Sequence, residues 1–349
     1  MNQILKRIKN KIHRYKGETL AKSIDIFLTR KCNLRCPHCL WLLKDKDFFS
    51  NYDMNLDSIN KILSYFKNNS KIKNINYAAE GEILLYEPLK DIIKLSKNNG
   101  FNVTSITTNG LLLHKKMDLI FENLNSIVIS LDGYNAETYN KQRGGTEDTY
   151  NTVINNISNL VKERDKDKNK NFKIELNCII GRFNLDYIEP MINKAEELGV
   201  DRMRFGSFHP TNNDKSIYSP IYLGEKDVEE IYKYLMSKTD WNTDITLPSL
   251  YGNRKIFWCS MLSEMVVIGA KGDFSPCCQM PPDTKYGNFF DTPNSYNKGN
   301  AAQFRRQFYF AKSYNELPLS CRECPRLSPI RNQFSSKLKI WDSDGQHYI

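Results

Sequence analysis

The chain has 349 residues, 40% of them hydrophobic, and a net charge of +10. It is too long for one small module and has enough apolar content to bury a sizeable core, in one large domain or two ordinary ones. No run of 18 or more apolar residues occurs, so no segment has the composition of a spanning helix.

The first 22 residues form a basic amphipathic extension. Lys6, Arg7, Lys9, Lys11, Arg14 and Lys16 surround Ile4, Leu5, Ile8 and Ile12, whose spacing fits one helical stripe. Such a helix either docks on the domain with a solvated basic face or rests on an anionic membrane surface or acidic partner. The segment has no apolar signal core and no small-residue cleavage site. The expected location is therefore cytoplasmic, where nine cysteines point to metal or redox chemistry rather than disulfides. No nucleic-acid recognition motif accompanies the positive charge, and no nucleic-acid partner is expected.

From residue 23 to about 212 strands and helices alternate. "SIDIFLT" reads as the first strand. "LDSINKILSYFKNN" then places Leu56, Ile59, Ile62, Leu63 and Phe66 on one helical face. "KNINYAA" is the second strand, and "PLKDIIKLSKNNG" a helix opened by Pro88 and closed by Gly100. "NVTSITT" follows, then a helix over about 112–123, the strand "SIVISLD", and a helix over about 147–163. "FKIELNCII", the helix "LDYIEPMINKAEELG" and the strand "DRMRFGSF" complete six strand–helix units. Repeated units of this kind imply parallel strands and right-handed crossovers. The expected fold class is α/β, a partial (β/α)6 barrel over residues 23–212, with function at the C-terminal ends of its strands. A polar linker and the helical stretch "GEKDVEEIYKYLMSK" occupy 213–255. A small Cys-rich domain is expected over 256–327, and a tail over 328–349.

The stretch "TRKCNLRCPHCLW" follows the first strand and carries Cys32, Cys36 and Cys39. Three thiols in one loop suit an iron–sulfur cluster, which normally takes four ligands, so one iron stays open. The alternative, structural zinc, wants a closed set of four. "CNLRCPHC" resembles the hallmark of the radical S-adenosylmethionine (SAM) enzymes. That resemblance implies a [4Fe–4S] cluster on Cys32, Cys36 and Cys39, with SAM chelated at the open iron and cleaved reductively to a 5′-deoxyadenosyl radical. It also implies an electron donor such as flavodoxin or ferredoxin.

The later strand ends extend the resemblance and imply the SAM contacts. "AAEGEILL" is similar to the family's glycine-rich segment; it keeps Gly81 and Glu82 but has Ala79, Glu80 and Ile83 where Gly, Gly and Pro are usual. A glycine there lets backbone approach the cofactor, and a carboxylate accepts from its ammonium. Glu82 is the candidate, with Glu80 as competitor. Thr108 and Asn109 of "TTNG" match the family's polar pair. Ser130 and Asp132 of "SLDG" share a strand face and are expected at the ribose hydroxyls. Arg143 of "YNKQRGG" resembles an arginine that holds the cofactor carboxylate, and Asn177 faces the interior from strand five. Its neighbour Cys178 should turn to the helices with Ile174, Leu176 and Ile180 as a core thiol.

Five further cysteines lie downstream. Cys259, Cys277, Cys321 and Cys324 make a complete first shell for either a [4Fe–4S] cluster or zinc. Gly272 in "GDFSPCC" suggests a hairpin that delivers Cys277. Their order resembles the SPASM/Twitch auxiliary domains, in the shorter form with one auxiliary cluster. Cys278 is left over, as a spectator, an alternative ligand or a hydrogen donor.

The chemistry so implied is hydrogen abstraction from a small polar substrate (a sugar, aminosugar or cyclitol), with the auxiliary cluster taking an electron in a net oxidation. The alternatives are a peptide-modifying enzyme and a radical epimerase. The short segment before the barrel argues against a leader-binding domain there. Arg182, Arg204 and His209, near the ends of strands five and six, are candidates to face the substrate, to bind an anionic group or move a proton.

Overall fold

The computed structural model describes residues 12–39, 41–42, 45–166, 171–207, 230, 237, 241–246 and 259–322. Strands and helices alternate as β1 Ser23–Phe27, α1 Leu56–Asn69, β2 Asn74–Ala78, α2 Leu89–Asn98, β3 Asn102–Thr108, α3 Met117–Asn123 and β4 Ser126–Ser130. They continue with α4 Ala136–Arg143, α5 Glu147–Lys166, β5 Lys173–Ile180, α6 Ile188–Leu198, β6 Arg202–Ser207 and β7 Asp244–Thr246. The last part holds α7 Ser260–Glu264, β8 Met265–Ile268, β9 Phe274–Ser275 and α8 Gly299–Phe310. Local chemistry sets the boundaries. Asn55 accepts from the Ser58 N–H to open α1, and Asn135 and Thr138 form a reciprocal capping box before α4. Among the described residues no helix is long and apolar enough to cross a membrane.

The chain divides into two compact units. The first takes its described residues from Met1–Asn33, Asp45–Ile106 and Lys255–Arg322. Here β2 pairs in parallel with both β1 and β3. On its other edge β1 pairs in parallel with β8, and β9 turns back antiparallel to β8. Strand β8, from the stretch expected as a small Cys-rich domain, is thus paired with the first strand. The expected hairpin is present, with Gly272 in its turn.

Helix α1 buries Ile59, Ile62, Leu63 and Phe66. Leu56, expected on that face, opens the helix and is 42% exposed, so the buried stripe begins one turn later. Phe66 stacks on Phe289 at 6.2 Å and meets Tyr296 at 5.9 Å, while Phe274 meets Tyr296 at 5.5 Å. This aromatic cluster joins α1 to the segment after β9. The N-terminal extension docks in the same unit. Residues 12–16 are helical, Arg306 of α8 donates to Lys16 O, and the Leu20 N–H donates to Ser263 O. The stripe from Ile4 to Ile8 lies outside the described residues.

The second unit draws on Leu34–Lys44, Thr107–Arg254 and Glu323–Ile349. Its strands β4, β5, β6 and β7 run parallel as successive neighbours. Strand β5 alternates as expected: Ile174, Leu176, Cys178 and Ile180 are buried. Strand β7 was not anticipated, because three residues are too few to show a period. The helix expected over 112–123 is a 3-10 turn at Leu113–Lys115 followed by α3. A 3-10 stretch at Arg182–Tyr187 likewise precedes α6. Of the expected helix at 224–238 only Glu230 and Ser237 are described, both helical. The tail lies outside the described residues.

Phe289→Ala empties the centre of the aromatic cluster. It is expected to cost about 3–5 kcal/mol, read as a lower urea midpoint with an unchanged m-value.

Candidate active site

In the first unit, the chain leaving β1 is held by β2 and the loop after it. The Thr29 hydroxyl donates to Asp53 at 2.6 Å, and Lys31 Nζ pairs with the same carboxylate at 2.6 Å. Gly81 lies so close to this segment that a Cβ there would stand 2.0 Å from Lys31 O, and the Glu82 N–H donates to that oxygen at 2.7 Å. Only glycine fits. The two competing glutamates separate by partner. Glu82 is buried and accepts from the Leu84 N–H, capping the 3-10 turn at 83–85. Glu80, 1% exposed, pairs with Arg30 at 2.5 Å and accepts from Ala270 N–H in the β8–β9 turn at 3.2 Å. Burial pushes its carboxyl up against the opposing pull of Arg30. Cys32 follows this segment and is half-buried.

In the second unit, Cys36 is buried and Cys39 half-buried, and the Cys39 N–H donates to Cys36 O at 3.0 Å. Arg143, the last residue of α4, reaches into this loop. It donates to Cys36 Sγ at 3.6 Å and to Ser130 O at 2.7 Å, and its Nε lies 3.0 Å from Asp132 Oδ2. Asp132 also accepts from the Ile179 N–H at 2.7 Å and faces His38 Nε2 at 3.5 Å. Burial alone would raise the Asp132 carboxyl; Arg143, His38 and the Ile179 N–H outweigh it and hold the group below the usual aspartate range. Burial pushes the Cys36 thiol up, and Arg143 pulls against that. Gly144 adopts φ +67°, and a Cβ there would lie 2.7 Å from Arg35 O, so α4 ends directly against the cysteine loop.

Asp132 was expected at ribose hydroxyls and Arg143 at a carboxylate. In this structure both are engaged with each other and with the cysteine loop. Thr108 accepts from the Gly110 N–H and Asn109 from the Leu111 N–H, so each side chain braces its own turn. Asn156 donates to Gly110 O and Leu111 O and ties that turn to α5.

Strand register collects the remaining candidates. Ser130 of β4 is level with Asn177 of β5, Asn177 with Arg204 of β6, and Arg204 with Thr246 of β7. This polar row crosses one face of the second unit's sheet. Thr246 was missed; it is buried and its hydroxyl has no partner among the described residues. Its signal would have been the strand "DIT", too short to recognise alone. Arg182 is exposed at the start of the 3-10 stretch after β5, away from that row in sequence. His209 lies outside the described residues.

The second cysteine set belongs to the first unit, except Cys324, which lies outside the described residues. Cys277 and Cys321 stand near Tyr286, whose hydroxyl is pushed up to about 12 by burial, then by Asp283 and by those two thiols. Cys259 stands near Tyr309, and Cys277 near the buried Arg305. Cys277 Sγ accepts from the Gln279 N–H at 3.2 Å. Cys278 points elsewhere, with its Sγ 3.5 Å from Met261 Sδ. Cys259 and Cys278 both pack on the cluster of Met261, Met265 and Val267.

Among the described residues no three Cys, His, Asp or Glu side chains converge as ligands of one ion. An iron–sulfur cubane does not need that convergence, because each thiolate binds a different iron. For the first loop, the thiol donors fit a cluster, and within the second unit the Arg143 donor to Cys36 and the close approach of Gly144 to Arg35 O are compatible with one. For the second set, Cys259, Cys277 and Cys321 lie in one unit, with Cys277 near the buried Arg305, a donor set suited to a thiolate-ligated centre.

Residues 26–195 match the radical SAM superfamily model. A GTP 3′,8-cyclase of Clostridium perfringens (strain 13) is 32% identical over 197 residues, 55% of this chain and 57% of that one. An S-adenosylmethionine-dependent nucleotide dehydratase of Selenomonas ruminantium is 24% identical over 187 residues, 53% of this chain and 65% of that one. The chain thus spans less than two thirds of the length of these curated relatives. Among solved structures, Streptococcus suis SuiB bound to its precursor peptide SuiA aligns with TM-score 0.64 and 14% identity, over 99% of this chain and 81% of that one. The anSMEcpe structure with bound AdoMet aligns with TM-score 0.65 and 18% identity, over 87% and 88%. These likenesses show the fold.

Arg143→Met strands the buried Asp132 carboxylate and is expected to cost about 3–5 kcal/mol. With its pKa depressed in the native state, Asp132 contributes stability at neutral pH that is lost as pH falls through and below the ordinary value near ~3.9. The gap between variant and parent should therefore be full at pH 7 and close on acidification, in urea unfolding followed across pH.

Proposed function

From a chain that carries a radical SAM domain over residues 26–195, we propose an enzyme that cleaves SAM reductively and oxidises a small polar substrate by hydrogen abstraction. When bound on Cys32, Cys36 and Cys39, the family's [4Fe–4S] cluster and SAM supply the 5′-deoxyadenosyl radical. The chain's own part is positional. Arg143 donates to Cys36 and, through Asp132, fixes the cysteine loop to the ends of β4 and β5. Glu80, Gly81 and Arg30 fix the segment that leads to Cys32. The polar row of Ser130, Asn177, Arg204 and Thr246 presents hydrogen-bonding groups and one cation on a single sheet face, a surface suited to a hydroxylated or anionic substrate.

The oxidative reading is supported by the placement of Cys259, Cys277 and Cys321 in one unit, with Cys277 and Cys321 both near Tyr286. With Cys324 they would complete a four-thiol set able to hold an auxiliary [4Fe–4S] cluster. Such a centre would take the electron left when a substrate loses a hydrogen atom and a proton, which makes the net change a two-electron oxidation. A flavodoxin or ferredoxin would supply the electron for SAM cleavage. Relatives named for GTP and nucleotides put phosphorylated sugars and nucleotides beside polyols and aminosugars in a first screen. A peptide substrate is the second reading. It is favoured by the fold likeness, over most of this chain, to SuiB bound to its precursor peptide.

The test is anaerobic turnover with dithionite and SAM over these substrate classes. Cys36→Ala is expected to abolish 5′-deoxyadenosine release. Cys277→Ala is expected to keep release but stop the loss of two hydrogens from substrate, read by mass spectrometry. Oxidation that continues undiminished in Cys277→Ala would overturn the auxiliary-centre reading. Turnover confined to peptides would replace the small-substrate reading with the second.

A further inference from the structure

The apolar stripe of the N-terminal extension does not stop at Ile12. Tyr15 continues it three residues on, on the same helical face. Ile12 is 49% and Tyr15 74% exposed, although the helical turn over 12–16 that carries them is fixed to α8 through its backbone. Arg306 donates to Lys16 O at 2.9 Å, and the buried Arg305 donates to Gly17 O at 3.4 Å. Gly17, at φ +71°, lies so close to α8 that a Cβ there would stand 2.2 Å from Ala302 O. The turn is therefore pinned by its backbone while its apolar side chains face solvent. Phe310, the last residue of α8, is 53% exposed and meets Tyr15 edge-on at 6.1 Å. Arg14, Lys16 and Arg306 are exposed around this pair, with Arg14 over the Tyr309 ring at 5.8 Å. An open groove lies among Tyr15, Lys16, Glu18, Arg306 and Phe310. Its one carboxylate, Glu18, is held by His13 at 2.9 Å.

We propose that this face docks the protein on an anionic lipid surface, with Ile12, Tyr15 and Phe310 entering the interface and Arg14, Lys16 and Arg306 meeting headgroup phosphates. Charge argues for that occupant. Residues 1–16 carry Lys6, Arg7, Lys9, Lys11, Arg14 and Lys16 and no Asp or Glu. Apolar and aromatic side chains bordered by lysine and arginine suit the layer between headgroups and acyl chains. Tyrosine fits that depth because its ring is apolar and its hydroxyl reaches water. Long basic side chains keep their stems beside the rings and carry their charge out to the phosphates. Charge alone would also suit an acidic polypeptide. The exposed apolar set favours lipid, whose acyl boundary takes rings and an isoleucine without a matched pocket. The proposal is independent of the reaction the protein performs.

The test is co-sedimentation of the full-length protein with vesicles of phosphatidylcholine alone and of phosphatidylcholine with one third phosphatidylglycerol, at low and high salt. The parent is expected to bind only the anionic vesicles and to leave them as salt rises. Arg14→Gln with Lys16→Gln is expected to weaken binding about twentyfold, about fivefold for each cation. Tyr15→Ser with Phe310→Ser is expected to weaken it about tenfold or more, with an unchanged urea midpoint because both side chains are exposed. Equal binding to neutral vesicles, or binding to neither, overturns the proposal. So does undiminished binding by Tyr15→Ser with Phe310→Ser, which leaves attraction to charge alone. Capture on polyglutamate without vesicle binding overturns it in favour of an acidic protein. Self-association that Phe310→Ser abolishes, again without vesicle binding, overturns it in favour of a second copy of the chain.

Discussion

Asp132 occupies a place where burial alone would favour a neutral carboxyl, and it is held charged by three partners. Arg143 comes from the end of α4, His38 from the cysteine loop and the Ile179 N–H from β5. One side chain therefore fixes the relative positions of β4, β5, α4 and the loop that carries Cys36 and Cys39. The carboxylate determines where the Arg143 guanidinium points, and the guanidinium determines which thiol receives a hydrogen bond. A lysine could not reproduce this, because its single ammonium lacks the planar fork that serves Asp132, Ser130 O and Cys36 Sγ together.

The first unit uses a parallel device with a different purpose. Glu80 stands where relatives of this motif have glycine, and it bridges Arg30 to the backbone of the β8–β9 turn. The segment leading to the first cysteine and the hairpin that leads to Cys277 thus share one buried carboxylate. Perturbing Glu80 should be felt at both ends of the sequence at once.

Much of this was legible in the sequence because periodicity reports burial. Strand β5 shows its two faces in "KIELNCII", and α1 shows its core stripe in Ile59, Ile62, Leu63 and Phe66. The cysteine spacing was legible because ligand sets in one loop are local. What the sequence could not report were pairings across long separations. The attachment of β8 to β1 joins residues more than 200 positions apart. The strand β7 is too short to carry a pattern. Arg305 and Arg306 are adjacent in sequence, and only the packing of α8 on Gly17 distinguishes the buried one from the exposed one. Asp132 and Arg143 were expected as site residues, but their attachment to each other required three dimensions.

The pairing of β1 with β8 bears on how the protein is made. During synthesis β1 emerges early and soon acquires β2 on one side. Its other edge has no native partner until Met265–Ile268 has been translated. For most of elongation the nascent chain therefore carries an open apolar strand edge, the kind of surface that recruits wrong partners and chaperones. Cys32 lies a few residues beyond that edge, so metal delivery to the first loop before the chain is complete would meet a scaffold still missing one of its neighbours. Strand order alone thus leaves β1 with one unpaired edge until Met265–Ile268 has been made.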